Sequence, residues 1–305
     1  MPVAVAALGG NAIVSDGDAT AVDLGRAPLA LARLVGLGWD LVVTHGNGPQ
    51  VGQRLLEVQA AGNADARLDL LDAETGGALG YRLQQCLGNA LGDLGAPQVV
   101  ASLLTQVVVA ADDPAFALPS KPVGPFYDHT RSEALKREHG YQMVEDAGRG
   151  FRRVVASPEP LEIVETRAIA ALVEAGVIVI AAGGGGIPVV RDASGRLRGV
   201  EAVIDKDRAS SLLARLLRAD LLLILTDVPE VRLDFRTAQE RAARRLSVDE
   251  ARGHLQAGQF PAGSMGPKVD AAAEFVAQTG RLALITCADR MLDALVGTAG
   301  TLIHP

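Results

Sequence analysis

Short apolar runs, each five or six residues long, recur along this 305-residue chain and alternate with amphipathic stretches. They cover residues 3–8, 40–44, 99–103, 177–182, 221–226 and 282–286. Such an alternation predicts βαβ units around a mainly parallel sheet, and therefore an α/β protein. By its length the chain forms one large domain or two closely packed lobes.

Glycine or a small polar residue follows three of these runs at once. Gly9-Gly10-Asn11 comes after the first run, His45-Gly46-Asn47-Gly48 after the second, and Gly183 to Gly186 after the fourth. Ligands of parallel sheets bind beyond the carboxyl ends of the strands, so we expect the three loops to face one site. A single glycine pair is more often only a tight turn, but three such loops favour a phosphate site, where backbone N–H groups approach oxygen atoms closely.

Helical spacing of apolar residues predicts helices over residues 24–35 and 74–94. Residues 119–160 interrupt the rhythm with many Pro, Gly and charged residues, which indicates an insertion outside the sheet, with a short helix over 133–139. The charge-rich run 236–245 is interpreted as a solvated loop and helix face.

Composition excludes several classes of function. A net charge of −7 and an aromatic content of 3% do not supply the basic, base-stacking surface that nucleic acid requires. No apolar run approaches the roughly 20 residues of a membrane span, and the first residues do not resemble a signal peptide, so a cytoplasmic protein is expected. Cys86 and Cys287 lie far apart, which indicates reduced thiols rather than a disulfide or a metal site.

Lysine is scarce, yet three lysines stand in unusual settings. Lys121 and Lys268 are framed by prolines and glycines, and Lys206 lies between Asp205 and Asp207, just before a predicted helix. Two interpretations of this Asp-Lys-Asp triplet stay open. Asp207 caps the helix in solvent, or the lysine neutralises a phosphoryl group while a neighbouring carboxylate orients it.

Familiar catalytic signatures are absent from the sequence. No P-loop, complete dinucleotide fingerprint, Ser/His/Asp order or Cys/His zinc cluster is found. His45 follows a buried strand and is interpreted as a structural histidine rather than a general base.

Taken together, several motifs resemble those of carbamate kinases, in the order of that family and over nearly the whole chain. They are Ala7-Leu8-Gly9-Gly10-Asn11-Ala12, Thr44-His45-Gly46-Asn47-Gly48-Pro49-Gln50-Val51-Gly52, Ser120-Lys121-Pro122-Val123-Gly124-Pro125-Phe126 and Gly199-Val200-Glu201-Ala202-Val203-Ile204-Asp205-Lys206-Asp207. Further matches are Asp146-Ala147-Gly148-Arg149-Gly150, Gly183 to Pro188, Leu225-Thr226-Asp227-Val228 and Gly263 to Lys268.

This resemblance implies the amino-acid kinase fold, a three-layer α/β/α sandwich with a mainly parallel open sheet and a small protruding subdomain at about 119–160. It implies an acceptor-binding lobe over 1–218 and a nucleotide-binding lobe over 219–305. The expected partners are ATP or ADP and carbamate or carbamoyl phosphate, with Mg²⁺ accompanying the nucleotide and no assigned protein ligand to the metal. A homodimer and a place in arginine metabolism are implied as well.

Residue roles follow from the same resemblance. Lys206 and Lys268 would hold the transferring phosphoryl group, Asp207 would orient them, and Lys121 would reach the acceptor. The acceptor-side contacts would come from Gly9, Gly10, Asn11, Gly46, Asn47 and Gly48. The nucleotide pocket would be lined by Thr226, Asp227, Gly263, Ser264 and Met265.

Two segments depart from the family pattern. Glu74-Thr75-Gly76-Gly77-Ala78-Leu79-Gly80 stands where a Ser-Gln-Gly type sequence is expected, and Arg232 stands where an aromatic residue is common near the nucleotide. Two alternatives to carbamate kinase activity stay open. One is an amino-acid kinase with another carboxylate or phosphate acceptor, and the other is a non-catalytic sensor of nucleotide or carbamoyl phosphate.

Overall fold

The computed structural model describes residues 1–9, 24–61, 67–145, 148, 150–260 and 265–305. The strands are β1 Val3–Leu8, β2 Asp40–His45, β3 Val100–Ser102, β4 Gln106–Val108, β5 Lys121–Tyr127, β6 Gln142–Glu145, β7 Phe151–Val155, β8 Glu162–Ile163, β9 Ile178–Ile180, β10 Ile187–Arg191, β11 Leu197–Gly199, β12 Leu221–Thr226, β13 Arg232–Leu233, β14 Arg241–Ala242, β15 Arg245–Ser247, β16 Leu282–Cys287 and β17 Thr301–His304. The helices are α1 Ala27–Gly36, α2 Gly48–Ala60, α3 Leu68–Asp93, α4 His129–His139, α5 Thr166–Glu174, α6 Lys206–Leu216, α7 Val248–Gln256, α8 Met265–Thr279 and α9 Met291–Leu295.

An eight-stranded sheet with the order β15-β17-β16-β12-β1-β2-β9-β3 forms the centre of the protein. Its strand pairs are parallel except for β16 and β17, which run antiparallel. Each of the six apolar runs found in the sequence forms a strand of this sheet, so the prediction of a mainly parallel sheet is confirmed.

Alternate residues of the central strands point to opposite faces of the sheet, as the period of two requires. On β1, Val5 and Ala7 join the core that includes α5, α6 and α8, whereas Ala4, Ala6 and Leu8 join the core with α1, α3 and α9. Because both faces are covered by helices, the strands are apolar throughout rather than alternating. The predicted three-layer α/β/α sandwich is confirmed.

The long helix α3 covers one face through Leu83, Leu87 and Leu91, which repeat every four residues and are fully buried. Burying each of these side chains stabilises the fold by about 1.5–3 kcal/mol. The helix begins six residues earlier than the sequence pattern predicts, at Leu68. The extra turns bring Asp72 into the helix, where it and Thr75 lie next to the loop that follows β2.

The insertion forms its own antiparallel sheet, ordered β5-β7-β6, together with α4. It packs against α2 through an apolar cluster that includes Val51, Leu55 and Val123. Gly52 of α2 meets Gly124 of β5 so closely that a Cβ at position 52 would lie 2.5 Å from Gly124 Cα. The predicted departure from the main sheet is confirmed, and this contact holds β5 close against α2.

The remaining strands form two small sheets, β11-β10-β4-β8 and β13-β14. The run 236–245 is mostly exposed, as predicted, but the predicted helix face is wrong, because the run contains β14 and the first residue of β15. One sheet joins residues on both sides of the proposed lobe boundary, since β1 pairs with β12. The division at residue 218 stays a prediction.

None of the helices within the described ranges is both long enough and apolar enough to cross a membrane.

Candidate active site

A cleft of about 220 Å³ opens at the carboxyl ends of the neighbouring strands β12, β1 and β2. The described residues that line it are Gly9, Gly46, Asn47, Gly48, Pro49, Lys121, Gly184, Val203, Ile204, Asp205, Lys206, Asp207, Thr226, Asp227, Pro267 and Lys268. All three glycine loops contribute, which confirms that they face one site. Gly10 and Asn11 lie outside the described residues.

Three helices begin at this cleft. Gly48 opens α2, Lys206 opens α6, and Pro267 and Lys268 lie in the first turn of α8. A helix N-terminus carries unpaired N–H groups and the positive end of the helix dipole. The first turns of the three helices therefore make the cleft favourable for an anion such as a phosphoryl group.

Three of the four lysines in the chain line the cleft, and the fourth, Lys136, lies on α4. Asp207 joins two of the three. Its Oδ1 accepts a hydrogen bond of 2.5 Å from Lys206 Nζ, and its Oδ2 accepts one of 3.3 Å from Lys268 Nζ. The carboxylate is almost completely buried, so it holds both ammonium groups in place and offsets part of their mutual repulsion.

Burial lowers the pKa of Lys206, and the nearby positive charge of Lys268 lowers it further, while the Asp207 carboxylate acts in the opposite direction.

Hydrogen bonds on the buried side of α6 hold its first turn in place. Ser210 Oγ donates to the Lys206 carbonyl oxygen at 2.5 Å and lies 2.6 Å from Thr44 Oγ1 of β2. Lys206 therefore projects from a rigid base.

The N-cap of α6 is Asp205, whose Oδ1 accepts from the Asp207 and Arg208 backbone N–H groups at 2.9 and 3.3 Å. The reading of Asp207 as the capping residue is thus wrong, because Asp207 lies inside the helix and pairs with lysines. Asp205 Oδ2 accepts a 2.6 Å hydrogen bond from Lys121 Nζ. Burial raises the pKa of Asp205, but Lys121, Lys206 and the cap hydrogen bonds outweigh burial and hold the pKa below its usual range.

The Asn47 side chain is held by α3. Asn47 Nδ2 donates to Asp72 Oδ1 at 2.6 Å and to Thr75 Oγ1 at 3.0 Å. Asp72 Oδ2 is buried without a hydrogen-bond partner among the described residues. Burial raises the pKa of Asp72 to about 7, with Asp69 adding to the rise and the Asn47 hydrogen bond opposing it.

Sequence reasoning missed Asp72, because a lone aspartate in an amphipathic helix carries no signal of its own. Asp205 belongs to the Asp-Lys-Asp triplet of the sequence, but no role in the site is predicted for it there. Thr75, which lies in a segment that departs from the family pattern, supports Asn47 directly.

His45 is a structural residue of the fold. It is 2% exposed, and its Nδ1 lies 3.2 Å from the Gly46 carbonyl oxygen. Burial lowers its pKa to about 4, so the ring is neutral at pH 7. Gly183 packs against the ring, since a Cβ at that position would lie 2.6 Å from His45 Nε2.

On the side of the cleft predicted to bind the nucleotide, Thr226 ends β12 and Asp227 follows it, and Thr226 Oγ1 donates to Asp227 Oδ1 at 3.0 Å. Met265 begins α8 and packs against the core, while Gly263 and Ser264 lie outside the described residues. Arg232 forms ion pairs with Glu230 and Glu240 at 3.1 and 3.6 Å. The roles assigned to all of these residues from sequence stay predictions.

Within the described parts of the chain, no group of three or more His, Cys, Asp or Glu side chains could hold a metal ion. The carboxylate of Asp207 is engaged by two lysines, and that of Asp205 by Lys121 and the helix cap. These two carboxylates are thus already engaged, and a divalent cation near them would take most of its ligands from a bound substrate and from water.

Comparison with known proteins agrees with this architecture. Residues 2–287 match the model of the Amino acid kinase family. The chain is 47% identical to the carbamate kinase of Trichomonas vaginalis over 311 residues, which cover 99% of each protein. It is 44% identical to the carbamate kinase of Pyrococcus horikoshii over 310 residues, covering 99% of this chain and 98% of that protein.

Among solved structures, the carbamate kinase from Giardia lamblia bound to AMP-PNP superposes with a TM-score of 0.90 at 40% identity. That comparison covers 99% of this chain and 98% of the Giardia chain.

Proposed function

This chain belongs to the amino acid kinase family, and we propose that it is a carbamate kinase, which transfers a phosphoryl group reversibly between ATP and carbamate. The products of the forward reaction are ADP and carbamoyl phosphate. The relatives named carbamate kinase, at 44% and 47% identity over nearly full length, support this choice of acceptor.

The observation that carries the phosphoryl-transfer proposal is the convergence of Lys121, Lys206 and Lys268 on one cleft at the carboxyl ends of the strands. Phosphoryl transfer requires positioning and stabilisation of charge on the equatorial oxygens, with little covalent chemistry by the protein. A cleft built from lysines and helix N-termini supplies both.

In this proposal, Lys206 and Lys268 contact the oxygens of the transferring group and Asp207 keeps their Nζ atoms in place. The ion pair with Asp205 holds Lys121 at the acceptor side. The loops at Gly9 and at Gly46 to Gly48 contribute backbone N–H groups, and small residues there let a ligand approach the main chain.

Carbamate is an anion and attacks without losing a proton, so the site needs no general base. The structure agrees with this requirement, because His45 is buried beneath the glycine loops and its pKa of about 4 suits a structural ring. The positive charge of Lys121 also suits an anionic acceptor.

For the nucleotide we propose the side of the cleft formed by Thr226, Asp227 and the start of α8, with Gly263, Ser264 and Met265. The Giardia relative bound to AMP-PNP supports an ATP-type ligand. We propose that Mg²⁺ enters with the nucleotide, neutralising its phosphate charge when bound.

We also propose a cytoplasmic homodimer acting in arginine metabolism. The edge strand β3 and its flanks support association with a second copy, since Val99 and Leu104 are 68% and 58% exposed. Light scattering coupled to gel filtration tests this proposal. A wild-type mass near 63 kDa, twice the 31.6 kDa chain, with a monomeric Leu104→Glu variant, would support it, and a wild-type monomer at micromolar concentration would contradict it.

The experiment that tests the activity measures ATP formed from carbamoyl phosphate, ADP and Mg²⁺ by the purified protein. A control without enzyme corrects for spontaneous breakdown of carbamoyl phosphate. Rapid ATP formation establishes the reaction. Folded protein that binds ADP but forms no ATP would reject it, and a screen of other carboxylate acceptors would then separate another kinase from a sensor.

A further inference from the structure

The orientation of the Asn47 side-chain amide is determined by its neighbours. Thr75 Oγ1 donates its hydrogen to the Leu71 carbonyl oxygen at 2.7 Å, so toward Asn47 this hydroxyl acts only as an acceptor. The Asn47 atom 3.0 Å away must therefore be the amide nitrogen. The same nitrogen donates to Asp72 Oδ1 at 2.6 Å, which uses both of its hydrogens.

The rest of Asn47 is equally constrained. Its backbone carbonyl oxygen accepts the first hydrogen bond of α2, from Val51 N at 2.9 Å. Gly184, at φ +75°, lies against the amide, and a Cβ there would be 2.5 Å from Asn47 Nδ2. Asn47 is 1% exposed and lines the cleft, so with Nδ2 turned toward α3, Oδ1 is the polar atom left for a ligand.

Within the described parts of the cleft, the other acceptors on this side are engaged. Asp207 accepts from two lysines, and Asp205 accepts from Lys121 and from two backbone N–H groups. No described donor reaches Asn47 Oδ1. This oxygen is thus a preformed, uncharged acceptor beside a cationic cleft.

We infer that Asn47 Oδ1 accepts a hydrogen bond from the amino group of carbamate or carbamoyl phosphate, and that Thr75 and Asp72 are positioning residues that fix its orientation. This inference rests on the proposed carbamate kinase function. The carboxylate or phosphate end of the substrate is drawn to the lysines, which leaves the amino end, a donor without an available lone pair, to face a neutral acceptor.

The arrangement explains how the site selects an amino-bearing acceptor over one of the same shape with a methyl group. Acetyl phosphate differs from carbamoyl phosphate by CH₃ in place of NH₂. With that ligand bound, Asn47 Oδ1 would be buried and unpaired, which lowers kcat/KM by about ten- to a hundredfold for one lost hydrogen bond.

The roles of the two positioning residues differ. As a carboxylate, Asp72 can only accept from the amide, whereas as a protonated carboxyl it could also donate to Asn47 Oδ1 and turn the amide around. Thr75 accepts in either case, since its own hydrogen is committed to Leu71. Substituting Thr75 therefore tests the proposed orientation of the Asn47 amide more directly than substituting Asp72.

The test compares ATP formation from carbamoyl phosphate and from acetyl phosphate, with ADP and Mg²⁺, as the ratio of the two kcat/KM values. The variants are Asn47→Leu, Thr75→Val and the matched control Thr75→Ser, each checked for folding by its melting temperature. We expect the ratio to fall about tenfold or more in Asn47→Leu and about three- to tenfold in Thr75→Val, while Thr75→Ser keeps the wild-type ratio.

A ratio unchanged in both folded variants, with the two substrates losing activity in parallel, would overturn the inference and leave the proposed function intact. Folded wild-type protein that binds ADP but makes ATP from neither donor would reject the proposed function, and the inference with it. If Asn47→Leu fails to fold, the Thr75→Val and Thr75→Ser pair decides alone.

Discussion

Lys121 Nζ donates a 2.6 Å hydrogen bond to Asp205 Oδ2, although the two residues are 84 positions apart in the chain. Lys121 begins the first strand of the insertion, and Asp205 is the N-cap of α6. A single carboxylate therefore caps the helix that carries Lys206 and also holds a lysine from another sheet. The pair links the insertion to the centre of the cleft.

Asp205→Asn should separate these two tasks. Asparagine caps helices as well as aspartate does, so α6 remains capped, but the charge partner of Lys121 is lost. We expect kcat/KM for carbamoyl phosphate to fall about tenfold, as for the loss of one charge-assisted hydrogen bond. Steady-state kinetics measure this change, and wild-type kinetics in the variant would show that Lys121 needs no carboxylate partner.

Removing the central lysine should have a larger effect. Lys206→Ala is expected to lower kcat roughly a hundredfold or more, because the variant loses a positive charge that stabilises the transferring phosphoryl group in the transition state. The control is Lys136→Ala, which removes the one lysine outside the cleft. A folded Lys206→Ala enzyme with unchanged kcat would reject the assigned role.

Gly52 and Gly124 approach closely because neither residue has a side chain. This contact holds β5, which begins with Lys121, against α2. Gly52→Ala places a Cβ 2.5 Å from Gly124 Cα, which forces α2 and β5 apart. We expect a loss of about 1–3 kcal/mol in stability, as in overpacked cores, and a raised KM for carbamoyl phosphate.

Gly88→Ala is the matched control for that substitution. Gly88 lies in α3 with no other atom within 4 Å of the added Cβ, so alanine should stabilise the helix by about 0.5–1 kcal/mol. Chemical denaturation and kinetics on both variants test the comparison. Equal behaviour of the two variants would show that the Gly52 contact has no role in positioning the insertion.

Features that local sequence patterns determine are predicted well, whereas contacts between distant segments of the chain are not. The strands were found because buried parallel strands leave continuous apolar runs, and the three loops were placed correctly because the ends of parallel strands share one edge. Pairings such as Lys121 with Asp205 and Asn47 with Asp72 join distant segments, which no local pattern encodes. The capping role went to the wrong aspartate for a similar reason, since the choice depends on which carboxylate the lysines attract.

Titration of the buried Asp72 carboxyl should make the free energy of unfolding depend on pH. Its pKa is about 7 in the folded protein, raised from 3.8 chiefly by burial. Between these two values the folded state holds a proton that the unfolded state has released, so this group stabilises the fold at low pH and the contribution is lost as pH rises toward 7. His45, with a pKa of about 4 in the fold, acts in the opposite direction over much of this range.

Asp72→Asn isolates the carboxyl, because the variant keeps His45 and an acceptor for Asn47. The unfolding free energy of the variant minus that of the wild type should increase by about 2–3 kcal/mol between pH 5 and pH 8, from two pH units of linkage at about 1.4 kcal/mol each. Urea denaturation at several pH values measures it, with Asp112→Asn as the control for changing an exposed aspartate. A difference that stays constant with pH would mean that Asp72 is ionised throughout, and that Asn47 is oriented by a permanent carboxylate.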